Sequence, residues 1–184
     1  TYLDGGAASA NSNNHLPYTK DLDSLVTDAM SQSVDEIEPT LLRSFQSIVG
    51  ALLYCACNTR PDIAYPVGML SRAMARPTPE LLEAAHRVLR YLYRTRDLGL
   101  RYERSDTPLH GYTDSDWGVK HSTSGYLFVL NQAAIHWSSK KQKSVALSSC
   151  EAEIMAASEA CKDAVHLSKL ATELGMGSDE PQSD

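Results

Sequence analysis

The sequence predicts an α+β fold in which helices come first and an antiparallel sheet with a long helix across it comes second. Apolar residues recur with the 3.6-residue period of helices up to about residue 96. After Asp97-Leu98-Gly99 the period changes to the alternation that is typical of β-strands. A capping pattern that starts at Ser148 then predicts another helix. A strand meander followed by a helix that covers it belongs to the α+β class.

Residues 1–40 predict an acidic, flexible linker. They hold seven acids against one Lys, are rich in Ser, Asn, Asp and Gly, and allow at most a short helix near 22–30. The first ten residues lack the basic region and apolar core of a signal peptide, and no run of about 18 apolar residues predicts a membrane span. We therefore expect an intracellular protein, cytoplasmic or nuclear, that is not secreted and has no membrane partner. Because Thr1 stands in place of Met, we also expect a longer parent chain.

Residues 41–96 predict three helices. LLRSFQSIVGALLYCACNT, at 41–59, predicts a helix that is buried on most of its surface. Pro61 suits the first turn of a second helix, and Pro66 should kink or shorten that helix. Thr78 is a natural N-cap for the third helix because Pro79 and a regular apolar stripe follow it.

The polar side of the third helix is basic at Arg87, Arg90 and Arg94. Two interpretations fit this pattern: the arginines form an ordinary solvated helix face, or they form a surface that contacts nucleic-acid phosphates. Residues 41–171 carry four more basic than acidic side chains, whereas both ends of the chain are acidic. That distribution is compatible with nucleic-acid contact but does not require it.

Five segments after residue 97 have the composition and alternation of strands. Asn131-Gln132 predicts a tight turn between two of them. A long helix then runs from Ser148 to a stop at Gly175. The predicted strands are LGLRYER at 98–104, LHGYTDSD at 109–116, GYLFVLN at 125–131, AAIHWSS at 133–139 and SVALSS at 144–149.

Two acidic clusters, about forty residues apart, indicate a metal site. Asp114 lies near the end of a predicted strand and Glu153 lies in the first turns of the long helix. A helix across the sheet can bring these carboxylates together, and small Ala residues in the helix allow a close approach. Carboxylate oxygens suit Mg²⁺, and two such ions about 4 Å apart can activate water for phosphodiester hydrolysis. Asp116 has a structural alternative as a loop cap, and Glu151 has one as the capping partner of Ser148.

The four cysteines do not form a C-x-x-C pair and lie in apolar surroundings, so we expect free, buried thiols in a reducing compartment rather than structural zinc.

Several long motifs in a fixed order resemble the ribonuclease H domain of copia-type (Ty1/copia) retrotransposon Pol polyproteins. The motifs are GYTDSDW, STSGYLFVL, IHWSSKKQ and VALSSCEAEIMAASEA. Upstream, SIVGALLYCACNTRPDIAYPVGMLSR and AAHRVLRYLYRTRDLGLRY resemble the segment that joins the reverse transcriptase to that domain. The resemblance covers roughly residues 45–174.

The resemblance implies a helical connector, like the thumb and connection of reverse transcriptases, at 41–96. It further implies an incomplete ribonuclease H-like domain at 97–178 and a polar tail at 179–184. The implied activity is Mg²⁺-dependent hydrolysis of the RNA strand of RNA–DNA hybrids, with Mn²⁺ as an alternative ion. Asp114 and Glu153 match the first two catalytic, metal-binding acids of the family. Lys140, Lys141 and Lys143 are candidate phosphate contacts, or simply a solvated hairpin.

The sequence also departs from the family. A third acid in an Asp-Asn motif, and another acid beyond it, follow the long helix in the family, and neither follows it here. The alternative functions are therefore an inactive remnant, a weak nucleic-acid-binding module, or a helical interaction module built on 79–94. No Tyr-x-Asp-Asp occurs, so this chain should not polymerise DNA by itself. The expected partners are nucleic acid and the fingers and palm of the same polyprotein.

Overall fold

The computed structural model describes residues 16–31, 37–117 and 122–175. In these residues five α-helices and one three-stranded antiparallel sheet form an α+β architecture, as predicted. The chain divides into two compact units. In the described ranges, the helical unit holds residues 16–31, 37–56 and 66–98, and the sheet unit holds 57–65, 99–117 and 122–175. The predicted tail at 179–184 lies outside the described residues.

The helical unit is built from α1 (Leu22–Ser31), most of α2 (Pro39–Asn58), most of α3 (Ala64–Arg72) and α4 (Pro79–Arg94). Each helix contributes apolar side chains to the core at helical spacing. Thr78 caps α4 as predicted, because its hydroxyl accepts a hydrogen bond from the backbone N–H of Leu81 at 3.3 Å. The buried core side chains include Leu22, Val26, Phe45, Val49, Leu52, Val67, Leu70, Leu81 and Val88.

Helix α1 occupies part of the stretch that was predicted to be a linker. Its buried side chains Leu22, Val26 and Ala29 form an apolar stripe, and α1 packs against α4. The backbone carbonyl of Met30 also accepts a hydrogen bond from Arg76 Nη1 at 3.1 Å. This stripe explains why the short helix allowed by the sequence is packed rather than free. Residues 1–15 and 32–36 lie outside the described residues.

Helix α2 has the length and apolar composition of a membrane-spanning helix. One face of it nevertheless packs in the helical unit, where Phe45, Val49, Leu52 and Ala56 are buried. The helix that was predicted to start at Pro61 begins as a 3-10 turn, Pro61–Ile63, and α3 starts only at Ala64. The α-helix is therefore short, 9 residues, in line with the prediction for Pro66. Pro66 lies in the first turn of α3, where a backbone N–H has no intrahelical partner to lose.

The sheet unit contains β1 (His110–Asp116), β2 (Thr123–Leu130) and β3 (Ala133–Lys141) in the order β1-β2-β3. Both pairs are antiparallel, and Asp114 lies opposite Gly125. Asn131 and Gln132 both have positive φ, 52° and 67°, as a two-residue hairpin turn requires. The predicted tight turn is therefore confirmed.

Helix α5 (Ser149–Glu173) packs on β1 and β2. Ser148 caps it, and Gly175, at φ 69°, follows the C-cap residue Leu174, as predicted. The three buried side chains of α5 are Ala152, Ala156 and Ala160, and such small residues allow close packing on the sheet. Tyr126 and Phe128 of β2 form the core of the interface with Ala160.

Two predicted strands are not strands in the structure. Residues 98–104 run beside the β2–β3 turn, where Glu103 N–H donates to the carbonyl of Asn131 at 3.0 Å. Exposed charges along this segment leave it without a continuous apolar face to bury. Residues 144–149 form the approach to α5, with Ala146 buried between exposed Val145 and Leu147. Apolar and polar residues alternate there as in a strand, but Ser148 caps α5 and Ser149 already belongs to that helix, so the segment cannot continue as a strand.

Candidate functional site

The alternation of β1 places its acids and its small polar residues on opposite faces of the sheet. Ser115 lies opposite Ser124, which is buried on the same side as Tyr126 and α5. Asp114 and Asp116 therefore belong to the face turned away from α5. Both aspartates are exposed.

Glu153 of α5 reaches β1 at the residue next to Asp114. Its Oε1 accepts a hydrogen bond from the backbone N–H of Ser115 at 3.3 Å. The sequence predicted that the long helix brings the carboxylates of Asp114 and Glu153 together. The observed contact is with the backbone of the neighbouring Ser115, whereas the Asp114 side chain belongs to the opposite face of the sheet. The same contact also gives Glu153 a structural role, because it satisfies a backbone donor of β1, a strand at the edge of the described sheet.

A cavity of about 580 Å³ lies on the face turned away from α5. Asp114 and Asp116 line it, and Pro61, Asp62, Ala64 and Tyr65 form another part of its wall. Gly125 leaves open space beside Asp114, since an added Cβ would meet only the Asp114 carbonyl oxygen, at 3.9 Å. Water and solutes can therefore reach the carboxylate of Asp114 from this side.

The donor set around Asp114 and Glu153 suits Mg²⁺ in chemical type but is sparse. In residues 16–31, 37–117 and 122–175, no group of three or more His, Cys, Asp or Glu side chains could hold a metal ion. Mg²⁺ keeps several of its waters and is often held by one or two carboxylates together with substrate phosphates. Two carboxylates can thus suffice for Mg²⁺ in principle, but the Asp114 side chain and the helix of Glu153 lie on opposite faces of β1 and do not form a closed protein cage.

Glu151 is occupied as a helix cap. Its backbone N–H donates to Ser148 Oγ at 3.1 Å, and its Oε2 accepts from the N–H of Leu147 at 2.7 Å. This reciprocal pattern confirms the predicted capping box. The arrangement favours the structural interpretation of Glu151 over a role in metal binding.

The predicted lysines lie at the same end of the sheet as Asp114. Lys140 pairs with Ser124 and Lys141 pairs with Thr123, while Asp116 pairs with Thr123 from the other side. Two strand spacings, about 10 Å, therefore separate the lysine strand from the aspartate strand. Lys140, Lys141 and Lys143 are exposed. Lys141 shares the face of Asp116, since both pair with Thr123, whereas Lys140 pairs with Ser124 on the α5 face.

The predicted arginines belong to the other unit. Arg87 Nε donates to the carbonyl of Leu16 at 3.3 Å, and Arg90 forms an ion pair with Glu83 at 2.5 Å. Arg94 is exposed in the last turn of α4. The first two contacts give Arg87 and Arg90 roles inside the helical unit.

A cluster of Tyr126, His136 and Asp163, between the sheet and α5, was not predicted. Asp163 Oδ2 accepts hydrogen bonds from the Tyr126 hydroxyl and from His136 Nε2, the latter at 3.1 Å. The hydrogen bond from Tyr126 lowers the pKa of Asp163, and burial, followed by the bond to Asp163, raises the pKa of Tyr126. His136 lies opposite Phe128 and Tyr126 lies opposite Ser138, so Tyr126 and His136 are diagonal neighbours on this face. Alternation along the two strands could have indicated that they share it.

Gln142, which directly follows β3, was also missed. It is 2% exposed, and its Nε2 donates to Ser124 Oγ and to the Ala152 carbonyl, both at 2.9 Å. Counted in steps of two from His136, position 142 falls on the α5 face. The parity of the strand was therefore the signal that could have found it.

The chain has relatives of two kinds. It is 49% identical over 128 residues to the secreted RxLR effector protein 161 of Plasmopara viticola, which covers 67% of this chain and 90% of the relative. It is 44% identical over 136 residues to the retrovirus-related Pol polyprotein from transposon TNT 1-94 of Nicotiana tabacum, which covers 72% of this chain and 10% of the relative. It is 50% identical over 121 residues to a putative transposon Ty5-1 protein of Saccharomyces cerevisiae, covering 62% of this chain and 39% of the relative.

The chain thus spans only about a tenth of the tobacco polyprotein. No protein-family model matches it, and no solved structure matches it. The polyprotein relatives nevertheless cover most of its length at high identity and share one kind of name. The chain belongs to the copia-type retrotransposon Pol polyproteins.

Proposed function

We propose that this chain carries the first two metal-binding carboxylates of a ribonuclease H domain. The reaction is hydrolysis of the RNA strand of an RNA–DNA hybrid within the polyprotein. The observation that carries the proposal is the contact of Glu153 with Ser115, because it brings a helix carboxylate to the residue next to Asp114. Membership of the Pol polyprotein family supports the same assignment.

In this proposal Asp114 and Glu153 supply oxygen ligands from two elements, a strand and a helix. When bound, Mg²⁺ would activate water and neutralise charge on the scissile phosphate. Glu153 is oriented by the Ser115 N–H, and Asp114 faces open space. Lys140, Lys141 and Lys143 would contact backbone phosphates of the hybrid without reading its sequence.

The test is cleavage of an end-labelled RNA–DNA hybrid in Mg²⁺ by the purified chain and by Asp114→Asn. Asp106→Asn, an exposed change in a loop of the same unit, is the matched control. The proposal predicts RNA cleavage that Asp114→Asn abolishes and Asp106→Asn preserves. Equal cleavage by all three proteins would identify a contaminating nuclease and remove the support for Asp114.

A second candidate function is binding of nucleic acid without catalysis. The observation that favours it is that the described residues bring together no third acid at the site. A relative of comparable extent, the Plasmopara protein, is moreover named an effector rather than a polyprotein. A folded chain that binds the hybrid but leaves the RNA intact in both Mg²⁺ and Mn²⁺ would select this candidate.

A further inference from the structure

Gln142 connects three of the four elements that surround the candidate site. Its backbone N–H donates to the Ser122 carbonyl at 2.8 Å at the start of β2. Its side-chain amide donates to Ser124 Oγ and to the Ala152 carbonyl, each at 2.9 Å. One buried side chain therefore joins the end of β3 both to β2 and to the second turn of α5.

These contacts close a ring that includes Glu153. Ser124 lies opposite Ser115 in the β1–β2 register, and Ser115 N–H donates to Glu153 Oε1 at 3.3 Å. Glu153 directly follows Ala152, whose carbonyl is held by Gln142. The position of the Glu153 carboxylate over β1 is therefore tied to the amide of Gln142 through a single peptide unit.

The amide is not the side chain that stability alone would favour. Gln142 Oε1 is buried and has no hydrogen-bond partner among the residues that the structure describes. A buried acceptor without a partner destabilises the fold, whereas an apolar side chain of the same length would not carry that cost. Residues that hold a functional group in place often carry such a stability cost.

We propose that Gln142 is a positioning residue that fixes the first turns of α5, and with them the Glu153 carboxylate, at the backbone of Ser115, the residue after Asp114. This inference rests on the proposed function for the metal role of Glu153. The position of Glu153 over β1, in contrast, can be tested without any metal. Residues that orient a metal ligand typically change metal affinity by about tenfold or more when they are replaced.

The variant that tests this is Gln142→Met, which keeps the length of the side chain and removes both hydrogen bonds. Gln46→Met is the matched control, because Gln46 Nε2 also donates to a backbone carbonyl, that of Met74 at 3.1 Å, but in the helical unit. The first measurement is the solvent-exchange rate of the Ser115 amide by NMR in metal-free buffer. The second is titration with Mg²⁺ alone, followed through backbone amide shifts.

We expect Gln142→Met to exchange the Ser115 amide about tenfold faster and to bind Mg²⁺ about tenfold more weakly. In a Glu153→Gln background the same change should leave Mg²⁺ binding within about twofold, since Gln142 acts through Glu153. Gln46→Met should change neither quantity. If Gln142→Met does not fold, Gln142→Asn is measured by the same criteria, because its shorter amide cannot reach both acceptors.

Two results would overturn the inference. One is an unchanged Ser115 exchange rate in the folded variant, and the other is equal weakening of Mg²⁺ binding with and without the Glu153 carboxylate. The two proposals can fail separately. A wild-type chain that does not respond to Mg²⁺ but loses Ser115 protection in Gln142→Met would contradict the metal site and support the positioning role.

Discussion

Gly111 and Gly125 provide a matched pair of substitutions that tests how β1 is held in the sheet. Each glycine lies within a strand, and each strand belongs to the same ladder. A Cβ added at Gly111 would lie 2.7 Å from both Cδ1 and Cε1 of Phe128, whereas a Cβ added at Gly125 would meet only the Asp114 carbonyl oxygen, at 3.9 Å. Gly111→Ala should therefore clash, and Gly125→Ala should fit.

The clash cannot be relieved cheaply. An ordinary contact begins at 3.4 Å, so the Phe128 ring or the β1 backbone must move by about 0.7 Å. Phe128 is 6% exposed and its ring stacks on His136 at a centroid distance of 6.3 Å. Overpacking of this kind costs about 1–3 kcal/mol. Replacing Gly by Ala in a strand contributes about 0.5–1 kcal/mol at both sites, so this gain cancels in the comparison.

We therefore expect Gly111→Ala to be less stable than Gly125→Ala by about 1–3 kcal/mol. The assay is urea unfolding followed by tryptophan fluorescence, which reports on the sheet unit because both tryptophans of the chain, Trp117 and Trp137, belong to it. Gly125→Ala should be at least as stable as the parent. Two variants equal within about 0.5 kcal/mol would refute the register of Gly111 against Phe128.

Three further predictions concern the N-cap of α5, the hydrogen bonds of Asp163 in α5 to the sheet, and the three lysines at the end of β3. Ser148→Ala should destabilise the sheet unit by about 1 kcal/mol in urea, whereas mid-helix Ser158→Ala should not; equal effects would contradict the cap. Because the pKa of Asp163 is lowered from its ordinary 3.8, its stabilising contribution is complete above that pH and is lost as the pH falls through the lower folded value. The free energies of unfolding of the parent and Asp163→Asn should therefore differ at pH 6 and converge at acid pH. A difference that does not change with pH would show that the Asp163 carboxylate does not stabilise the contact between α5 and the sheet. Replacing Lys140, Lys141 and Lys143 with Ala should reduce the slope of log affinity for the hybrid against log salt by about 2–3, and an unchanged slope would show that the lysines are merely solvated.

Much of the fold could be predicted because local signals agreed with tertiary packing. Thr78 and Ser148 cap helices since short polar side chains satisfy backbone donors that no helix can satisfy internally. Asn131 and Gln132 form the hairpin turn that their place between two alternating segments indicated. In each of these cases a few neighbouring residues were sufficient to determine the structure.

The rest depended on contacts between distant residues. Segments 98–104 and 144–149 have the alternation of strands, but strand formation requires a partner backbone, and periodicity does not show whether one is available. Gln142 resembles a solvated residue because three nearby lysines surround it in sequence. Its burial follows from the crossing of α5 over β2, which only the three-dimensional structure shows.

Glu153 can accept the Ser115 N–H at the edge strand β1 and also bind a metal ion, since the two roles use different oxygen atoms. A carboxylate has two oxygens, so acceptance of the Ser115 N–H by Oε1 leaves Oε2 for a cation. Glu153→Gln keeps an amide oxygen that can accept from Ser115 but removes the charge, whereas Glu153→Ala removes both. If Glu153 only accepts the hydrogen bond from Ser115, Glu153→Gln should behave like the parent in Mg²⁺ titration, and Glu153→Ala should unfold at lower urea concentration. If it also binds metal, both variants should bind Mg²⁺ more weakly than the parent, and only Glu153→Ala should lose protection of the Ser115 amide as well. That split would show that the hydrogen bond orients the carboxylate for the ion rather than competing with it.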